Sequence, residues 1–377
     1  MRDELRKYVN EWYLQYFTTT EQQLYFQFHI TNICEARCKH CYFNEANIGQ
    51  NRFVEYSLIT QVIDQIVDYA KEKKLKPTID FTGGDSLLHP QIDNILKYCH
   101  IKNVSTGLKC CSNKINNEII AIFKENNVER VFLSLEGMKP INDFIRGKGD
   151  FDRTVNAIGL LKENNFYVRI KMTISKMNKN QIESLMLFLI NNNFMIDSFM
   201  WARYWSKENK EHCLNKEEYA KILERQLEFL EEIYGQPSFF RYQQGKKEPR
   251  IRYDFKEHLW YPYLETKGYV DKRNNEFFNN KRYSVGCTIA KEVYIIDFTG
   301  DVMKCRKLED SIIGNVNRTC VKEIIEGEVH KKYLEYITNN ECNNCRFTNS
   351  CGGCRAMSLA QQGNVLLIDS CCDIQNE

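Results

Sequence analysis

Cys34, Cys38 and Cys41 stand in one short stretch with the spacing Cys-x3-Cys-x2-Cys, directly behind a strand-like run. Three thiolates in one loop can hold three irons of a [4Fe–4S] cluster and leave the fourth iron without a protein ligand. That open iron can take an amine and a carboxylate from a small molecule and pass an electron to it. Zinc is the competing reading, because His40 lies inside the same stretch and could complete four ligands. Zinc sites usually show paired Cys-x2-Cys spacing, which this group lacks.

A second concentration of thiols ends the chain: Cys287-x12-Gly300-x4-Cys305, then Cys342-x2-Cys345-x5-Cys351-x2-Cys354, then Cys371 and Cys372. This is dense enough for two metal centres, and thiolate-only ligation suits zinc and iron–sulfur alike. Cys99, Cys110, Cys111, Cys213 and Cys320 have no partner at ligand-like spacing and read as small buried hydrophobes. A disulfide framework is the other use for 16 cysteines, and the compartment argues against it. The first residues, MRDELRKYVNEWYLQYF, are charged and lack the apolar core of a signal peptide. No run approaches the roughly eighteen apolar residues of a membrane span. The expected location is therefore the cytoplasm. A net charge of +2 gives no general attraction to nucleic acid or anionic membrane, so neither is expected as a partner.

The elements that must position these groups are legible as periodicity. Strand-like runs at 25–30, 78–82, 104–108, 130–135, 167–174 and 197–203 alternate with amphipathic segments at 57–73, 116–126, 152–164 and 179–192. In the first of these segments Leu58, Ile59, Val62, Ile63, Ile66, Val67 and Ala70 share one helical face behind Ser57 as N-cap. Strands each followed by a helix imply a parallel sheet with right-handed crossovers. The expected fold class is α/β, a partial (β/α)6 TIM-like barrel followed by a small cysteine-rich α+β domain.

In such barrels functional groups gather at the C-terminal ends of the strands. Gly83-Gly84-Asp85 follows the second strand, Ser134-Leu135-Glu136-Gly137 the fourth, and Arg146-Gly147 comes soon after. Glycines let the backbone approach a ligand, Asp85 can pair with an ammonium, and Arg146 suits a carboxylate. A helix at 216–234 follows the last repeat, and 237–284 is rich in aromatic and basic residues. A hairpin is expected from KEVYIID through Phe298-Thr299-Gly300 to DVMKC. The expected division is an extension at 1–24, a barrel at 25–235, a bridging region at 236–284 and an auxiliary-cluster domain at 285–377.

The succession CEARCKHC, TGGDS, SLEG and IRGKGDF resembles the radical S-adenosylmethionine (SAM) superfamily over about residues 25–205. The resemblance implies a SAM-binding [4Fe–4S] cluster on Cys34, Cys38 and Cys41, whose electron breaks the S–C5′ bond to give a 5′-deoxyadenosyl radical. It implies that His40 contacts the adenine, that Gly83, Gly84 and Asp85 bind the SAM amino group, and that Ser134 and Arg146 hold the ribose and the carboxylate. The family usually has Glu-Pro after the glycines, where this chain has Asp85-Ser86.

The C-terminal cysteines resemble the SPASM extension, which holds two auxiliary [4Fe–4S] clusters, and Ile313-Gly314-Asn315-Val316 matches a loop found there. By that resemblance Cys287, Cys305 and Cys354 bind the first auxiliary cluster, and Cys342, Cys345, Cys351 and Cys372 bind the second. The Asp369-x2-Cys372 ending favours Cys372 over Cys371. The implied cofactors are SAM and three [4Fe–4S] clusters. Two departures stand out. Two residues separate Cys351 from Cys354 where the family has three, and residues 279–286 hold no cysteine. The first auxiliary cluster is thus left with an open iron, with Cys320, or with another ligand.

What the resemblance implies is a radical SAM oxidoreductase of the peptide-maturase type. It would abstract hydrogen from a ribosomally made peptide and form a thioether or carbon–carbon cross-link. Peptide epimerisation, a sulfatase-maturing activity and a small-molecule dehydrogenase are the alternatives. Sulfatase-maturing members carry Asp directly after the hairpin cysteine, where this chain has Arg306. The implied partners are a precursor peptide and a low-potential electron donor such as flavodoxin or ferredoxin.

Overall fold

The computed structural model describes residues 2–41, 52–243, 246–271 and 293–373. Cys287, expected as a ligand, lies outside them, as does the start of the expected hairpin at 291–292. All six expected strands form: β1 (Gln23–Thr31), β2 (Lys76–Gly83), β3 (Ser105–Lys109), β4 (Arg130–Ser134), β5 (Tyr167–Ile174) and β6 (Ser198–Arg203). They lie side by side in chain order, every neighbouring pair parallel. Helices Tyr56–Lys73, Ile92–Ile101, Asn117–Glu125, Asp150–Glu163 and Ile182–Asn191 make the crossovers, with a further helix at Lys139–Arg146. This is the parallel sheet of a partial α/β barrel.

Strand alternation decides which side chains face the helices. Leu24, Phe26, Phe28 and Ile30 of β1 and Val168, Ile170, Met172 and Ile174 of β5 are buried in the core, with Ile59, Val62, Ile63 and Ile66 of the first crossover helix. The other parity is polar. The register Gln27–Asp80–Gly107–Arg130–Tyr167 runs across five strands on the face turned away from that core.

One local expectation needs correction. Helix Tyr56–Lys73 begins one residue early, with Glu55 at the cap position and no side-chain cap, so Ser57 lies inside the first turn. A well-formed start is found instead at Lys216–Tyr234, where Asn215 and Glu218 make a reciprocal capping box.

The N-terminal extension is one helix, Arg2–Glu21, laid on the bridging region. Trp12 donates to Asp254 at 2.9 Å and the Tyr8 hydroxyl donates to the Tyr253 carbonyl at 3.0 Å. Phe239, Tyr253, Trp260 and Tyr261 are buried there, so those bridge aromatics pack elements together. The bridge carries a small hairpin, β7 (Phe240–Gln243) and β8 (Lys246–Pro249), and then runs along β6. Phe199 N–H donates to the Arg252 carbonyl at 2.8 Å and Asp254 N–H to the Phe199 carbonyl at 2.9 Å.

At the opposite edge β9 (Val293–Ile296) pairs parallel with β1, and β10 (Asp301–Met303) and β11 (Ile312–Asn315) follow antiparallel. The expected hairpin is therefore present, turning at Gly300 with φ +89°, and it extends the barrel sheet to nine strands. Periodicity marks a strand but not the edge it joins, which is why the sequence gives the hairpin no place in the barrel. Both edges of the six-stranded sheet are covered, which leaves them unavailable for pairing with other chains.

Candidate functional site

Cys34, Cys38 and Cys41 leave the end of β1 in a tight loop, all partly buried, with Cys41 N–H donating to the Cys38 carbonyl at 3.1 Å. Lys39 N–H bonds the Ile145 carbonyl at 2.9 Å, and Arg37 donates to the Cys34 carbonyl. The glycines after β2 stitch this loop down. Gly84 N–H donates to the Thr31 carbonyl at 2.9 Å and Asp85 N–H to the Ile33 carbonyl at 2.8 Å. A Cβ on Gly83 would stand 1.9 Å from the Thr31 oxygen, and one on Gly84 2.2 Å from the Ile33 oxygen. The close backbone approach that these glycines permit is to the cysteine loop itself.

Asp85 then turns inward. Its Oδ1 accepts from Leu87 N–H and Cys111 N–H, both at 3.2 Å, while Oδ2 is buried with no hydrogen-bond partner among the described residues. Burial pushes this carboxyl up to about 6. A buried carboxylate oxygen without a hydrogen-bond partner among the described residues is what an N–H-bearing ligand would complete.

Cys111 departs from its expected role as a core hydrophobe. Its Sγ lies 3.7 Å from Cys34 Sγ, and the contact holds the Cys34 thiol below the usual cysteine range. Burial pushes Cys38 up to about 11. Cys99, by contrast, is fully buried in the apolar core, as its spacing suggests.

Glu136, named from the sequence only as part of SLEG, is the hub of the next cluster. Thr173 N–H donates to its Oε2 at 2.7 Å, while His40 Nε2 and Arg146 Nη1 stand 3.3 Å and 3.6 Å from Oε1. Burial pushes the Glu136 carboxyl up, but His40 and Arg146 outweigh it and hold it low. Arg146 also donates to Asp150 at 2.8 Å. His40 and Arg146 are thus engaged with carboxylates of the chain, and His40 Nδ1 is buried without a hydrogen-bond partner among the described residues. Ser134 ends β4, half-buried, paired in register with Lys171.

At the other end of the chain Cys342, Cys345, Cys351 and Cys372 line one cavity with Phe347, Gly352, Gly353 and Asp369. Gly352 and Gly353 both adopt positive φ, +66° and +67°, and turn the chain between Cys351 and Cys354. Cys371 points elsewhere, its Sγ toward the Leu214 carbonyl at 3.6 Å. Cys354 stands in a second group: ligand atoms of His258, Cys354 and Asp369 all lie within 4.8 Å of one another. Cys305 N–H donates to Ser311 Oγ at 3.1 Å and its thiol influences Cys354 electrostatically. Cys320 begins helix Val321–Glu326, which is tied to helix Tyr56–Lys73 through Val321 N–H to Gln65.

Residues 28–189 match the radical SAM superfamily and residues 287–355 match the SPASM iron–sulfur cluster-binding domain. The chain carries a radical SAM domain followed by a SPASM domain. Proteins of this kind bind SAM and iron–sulfur clusters. The Fe-coproporphyrin III synthase of Methanosarcina barkeri is 22% identical over 362 residues, covering 92% of this chain and 87% of that protein. SuiB from Streptococcus suis, bound to the precursor peptide SuiA, superposes with a TM-score of 0.67 at 18% identity, covering 98% of this chain and 80% of SuiB. The enzyme anSMEcpe, bound to AdoMet and the Cp18Cys peptide, gives 0.70 at 15% identity over 93% of this chain and 94% of its own. At these identities the two likenesses describe the fold. No helix among the described residues of this radical SAM protein is long and apolar enough to cross a membrane.

Proposed function

We propose that the chain is a radical SAM peptide maturase whose initiating cluster is held by Cys34, Cys38 and Cys41. The observation that carries the reading is the cysteine loop stitched by Gly84 and Asp85, with the partnerless Asp85 Oδ2 buried beside it. When bound, a reduced cluster of this type supplies the electron that cleaves SAM to a 5′-deoxyadenosyl radical. The chain's residues do the holding. Asp85 accepts from the N–H of the SAM amino group, Gly83 and Gly84 keep the backbone close, and His40 and Ser134 border the nucleoside. Arg146, oriented by Glu136 and Asp150, presents its remaining N–H groups to the SAM carboxylate.

Cys342, Cys345, Cys351 and Cys372 hold one auxiliary [4Fe–4S] cluster, and Cys287, Cys305 and Cys354 the other, which makes three with the first. Their shared cavity supports the first of these sets. The domain boundaries that accompany this reading are 25–235 for the barrel and 285–377 for the auxiliary-cluster domain. The reaction is abstraction of one hydrogen atom from a ribosomal peptide, with closure of a thioether or carbon–carbon cross-link as a second electron and a proton leave. An auxiliary cluster would supply the acceptor for that electron, and a low-potential flavodoxin or ferredoxin the electron that cleaves SAM. The fold shared with peptide-bound SuiB and anSMEcpe supports a peptide substrate.

A second reading, a small-molecule radical SAM dehydrogenase, is favoured by one observation. The relative named for Fe-coproporphyrin III matches 92% of the chain. Mass spectrometry of a short peptide encoded beside this gene, co-expressed with the enzyme, separates the two. A loss of two hydrogens that depends on Cys34, Cys38 and Cys41 supports the peptide reading. Turnover of a free small molecule with the peptide unmodified overturns it.

A further inference from the structure

The polar face of the barrel sheet carries an excess of positive charge that the SAM-cleaving reaction does not use. Strand β5, YVRIKMTI, alternates so that Val168, Ile170 and Met172 enter the core while Arg169 and Lys171 share the opposite face. Register places Lys109, Phe132 and Arg169 in one row across that face, with Ser134 and Lys171 in the next. Arg130 and Lys109 reach the same face from β4 and β3 and converge on buried Asp80, at 3.2 Å each, where Tyr25 also donates. Lys256, from the bridge segment beyond its pairing with β6, joins the same electrostatic cluster.

The acids reach these cations unevenly: against burial, Asp254, Tyr167 and Asp80 hold the Arg169 guanidinium above its usual range, while burial prevails at Lys171 and Lys256. Asp80 is taken by Tyr25, Lys109 and Arg130, and Asp254 by Trp12 and Ser198. Among the described residues, Arg169, Lys171 and Lys256 have no carboxylate within 4.0 Å. What they touch is aromatic: Lys171 stands 4.4 Å and Arg169 5.7 Å from the Phe132 ring centroid, and Lys256 5.4 Å from that of Tyr16. The Arg169 Nε is buried with no hydrogen-bond partner. Burial pulls Lys109 down to about 8 against the opposing effect of Asp80, and burial followed by neighbouring cations pulls Lys256 down to about 8 and Lys171 well below the usual lysine range. A fold holds clustered, desolvated cations at a cost, and it recovers that cost when an anion arrives.

We infer that this face is a carboxylate-binding subsite for the substrate, in which Lys171, Arg169 and Lys256 receive one or more carboxylate groups and orient the reacting carbon toward the SAM rim. The inference rests on the proposal that substrate enters the barrel, and it adds the substrate's chemistry: an acidic molecule. Lys171 is the residue best placed to set position, because it pairs in register with Ser134 at the strand end. The carboxylates belong either to acidic residues of a peptide or to a small polycarboxylic acid.

The test uses the full chain with its clusters reconstituted and SAM present. Binding is measured by calorimetry for tetraglutamate against tetraglutamine, and for tricarballylate against its triamide. At least one acid binds, its amide does not, and Lys171→Met weakens the acid tenfold or more while iron per chain stays constant. Binding of tetraglutamate alone assigns a peptide source, and binding of tricarballylate alone a small-acid source. In the ligand-free protein Lys171→Met raises the Tm, because a buried amine with no carboxylate partner among the described residues has been removed. Acids and amides binding alike, no acid binding, or a lowered Tm with unchanged acid affinity each overturns the inference. Those outcomes leave the proposed function intact, which fails separately if the parent chain does not cleave SAM.

Discussion

Arg203 and Asp369, 166 residues apart in the chain, form a buried two-pronged ion pair, Nη1 to Oδ1 at 2.8 Å and Nη2 to Oδ2 at 2.7 Å. Arg203 ends β6, so the pair ties the last barrel strand to the C-terminal segment. Asp369 also accepts from Cys354 N–H and Cys371 N–H at 3.0 Å each, and His258 stands 2.9 Å from it. Arg203 keeps a second carboxylate partner in Glu257 at 2.9 Å, so Asp369→Asn removes charge-assisted hydrogen bonds without orphaning the guanidinium and is expected to cost about 1.5–3 kcal/mol of stability. Denaturant titration reads that loss. Iron analysis of the same variant is expected to show depletion of the C-terminal clusters with the first cluster retained.

That pair shows where reading the sequence reaches its limit. The strands were legible because apolar residues alternate and the helices between them keep a helical period, both local signals. Cys342, Cys345, Cys351 and Cys372 are grouped by the resemblance to the SPASM extension, and they line one cavity. Cys111 was passed over because its neighbour Cys34 is 77 residues away, and nothing local announces a contact across strands. Glu136 stood in plain view as part of a motif, but its role as partner of both His40 and Arg146 depends on two further chain segments meeting it. Arg169 and Lys171 sit at alternate positions in β5, and only the sheet register reveals which face they share.

Gly84 tests the stitching of the cysteine loop. A methyl group there would meet the Ile33 carbonyl oxygen at 2.2 Å and its carbon at 2.5 Å, both backbone atoms that cannot rotate aside. Gly84→Ala is expected to cost about 1–3 kcal/mol. It is also expected to displace the loop, so that iron bound at the first site falls while the C-terminal iron is unchanged. Retention of all iron together with full stability would show that the loop does not depend on this contact.

Asp85 gives a pH signature. Its carboxyl is raised to about 6 by burial, so below that pH it is neutral in the SAM-free chain. If the ionised form accepts from the SAM amino group, SAM affinity falls as pH drops through about 6, by up to roughly tenfold per unit. Asp85→Asn is expected to bind SAM more weakly at pH 8 and to lose the dependence. Equilibrium dialysis of SAM between pH 5.5 and 8 would expose a flat wild-type profile, which the account does not allow.

Asp80 behaves in the opposite sense. Although burial raises its carboxyl, Lys109 and Arg130 prevail and hold it well below the usual carboxylate range. A depressed folded pKa gives stability that is complete above the unfolded value of about 3.9 and is lost as pH falls toward the folded one. Asp80→Asn is therefore expected to destabilise by about 3–5 kcal/mol at pH 7. The gap between wild type and variant should narrow below pH about 4. Denaturant midpoints collected across that range would show it, and a gap independent of pH would remove the ion pairs from the explanation.

The central claim is that Cys34, Cys38 and Cys41 together hold the cluster that cleaves SAM. The most direct measurement is 5′-deoxyadenosine formation by anaerobically reconstituted protein under a strong reductant, for the parent chain and for the variant with all three cysteines changed to Ala. The parent chain is expected to bind on the order of twelve irons and to form 5′-deoxyadenosine. The variant is expected to lose on the order of four irons and all SAM cleavage, while the C-terminal iron remains. Undiminished 5′-deoxyadenosine from the variant would contradict the account.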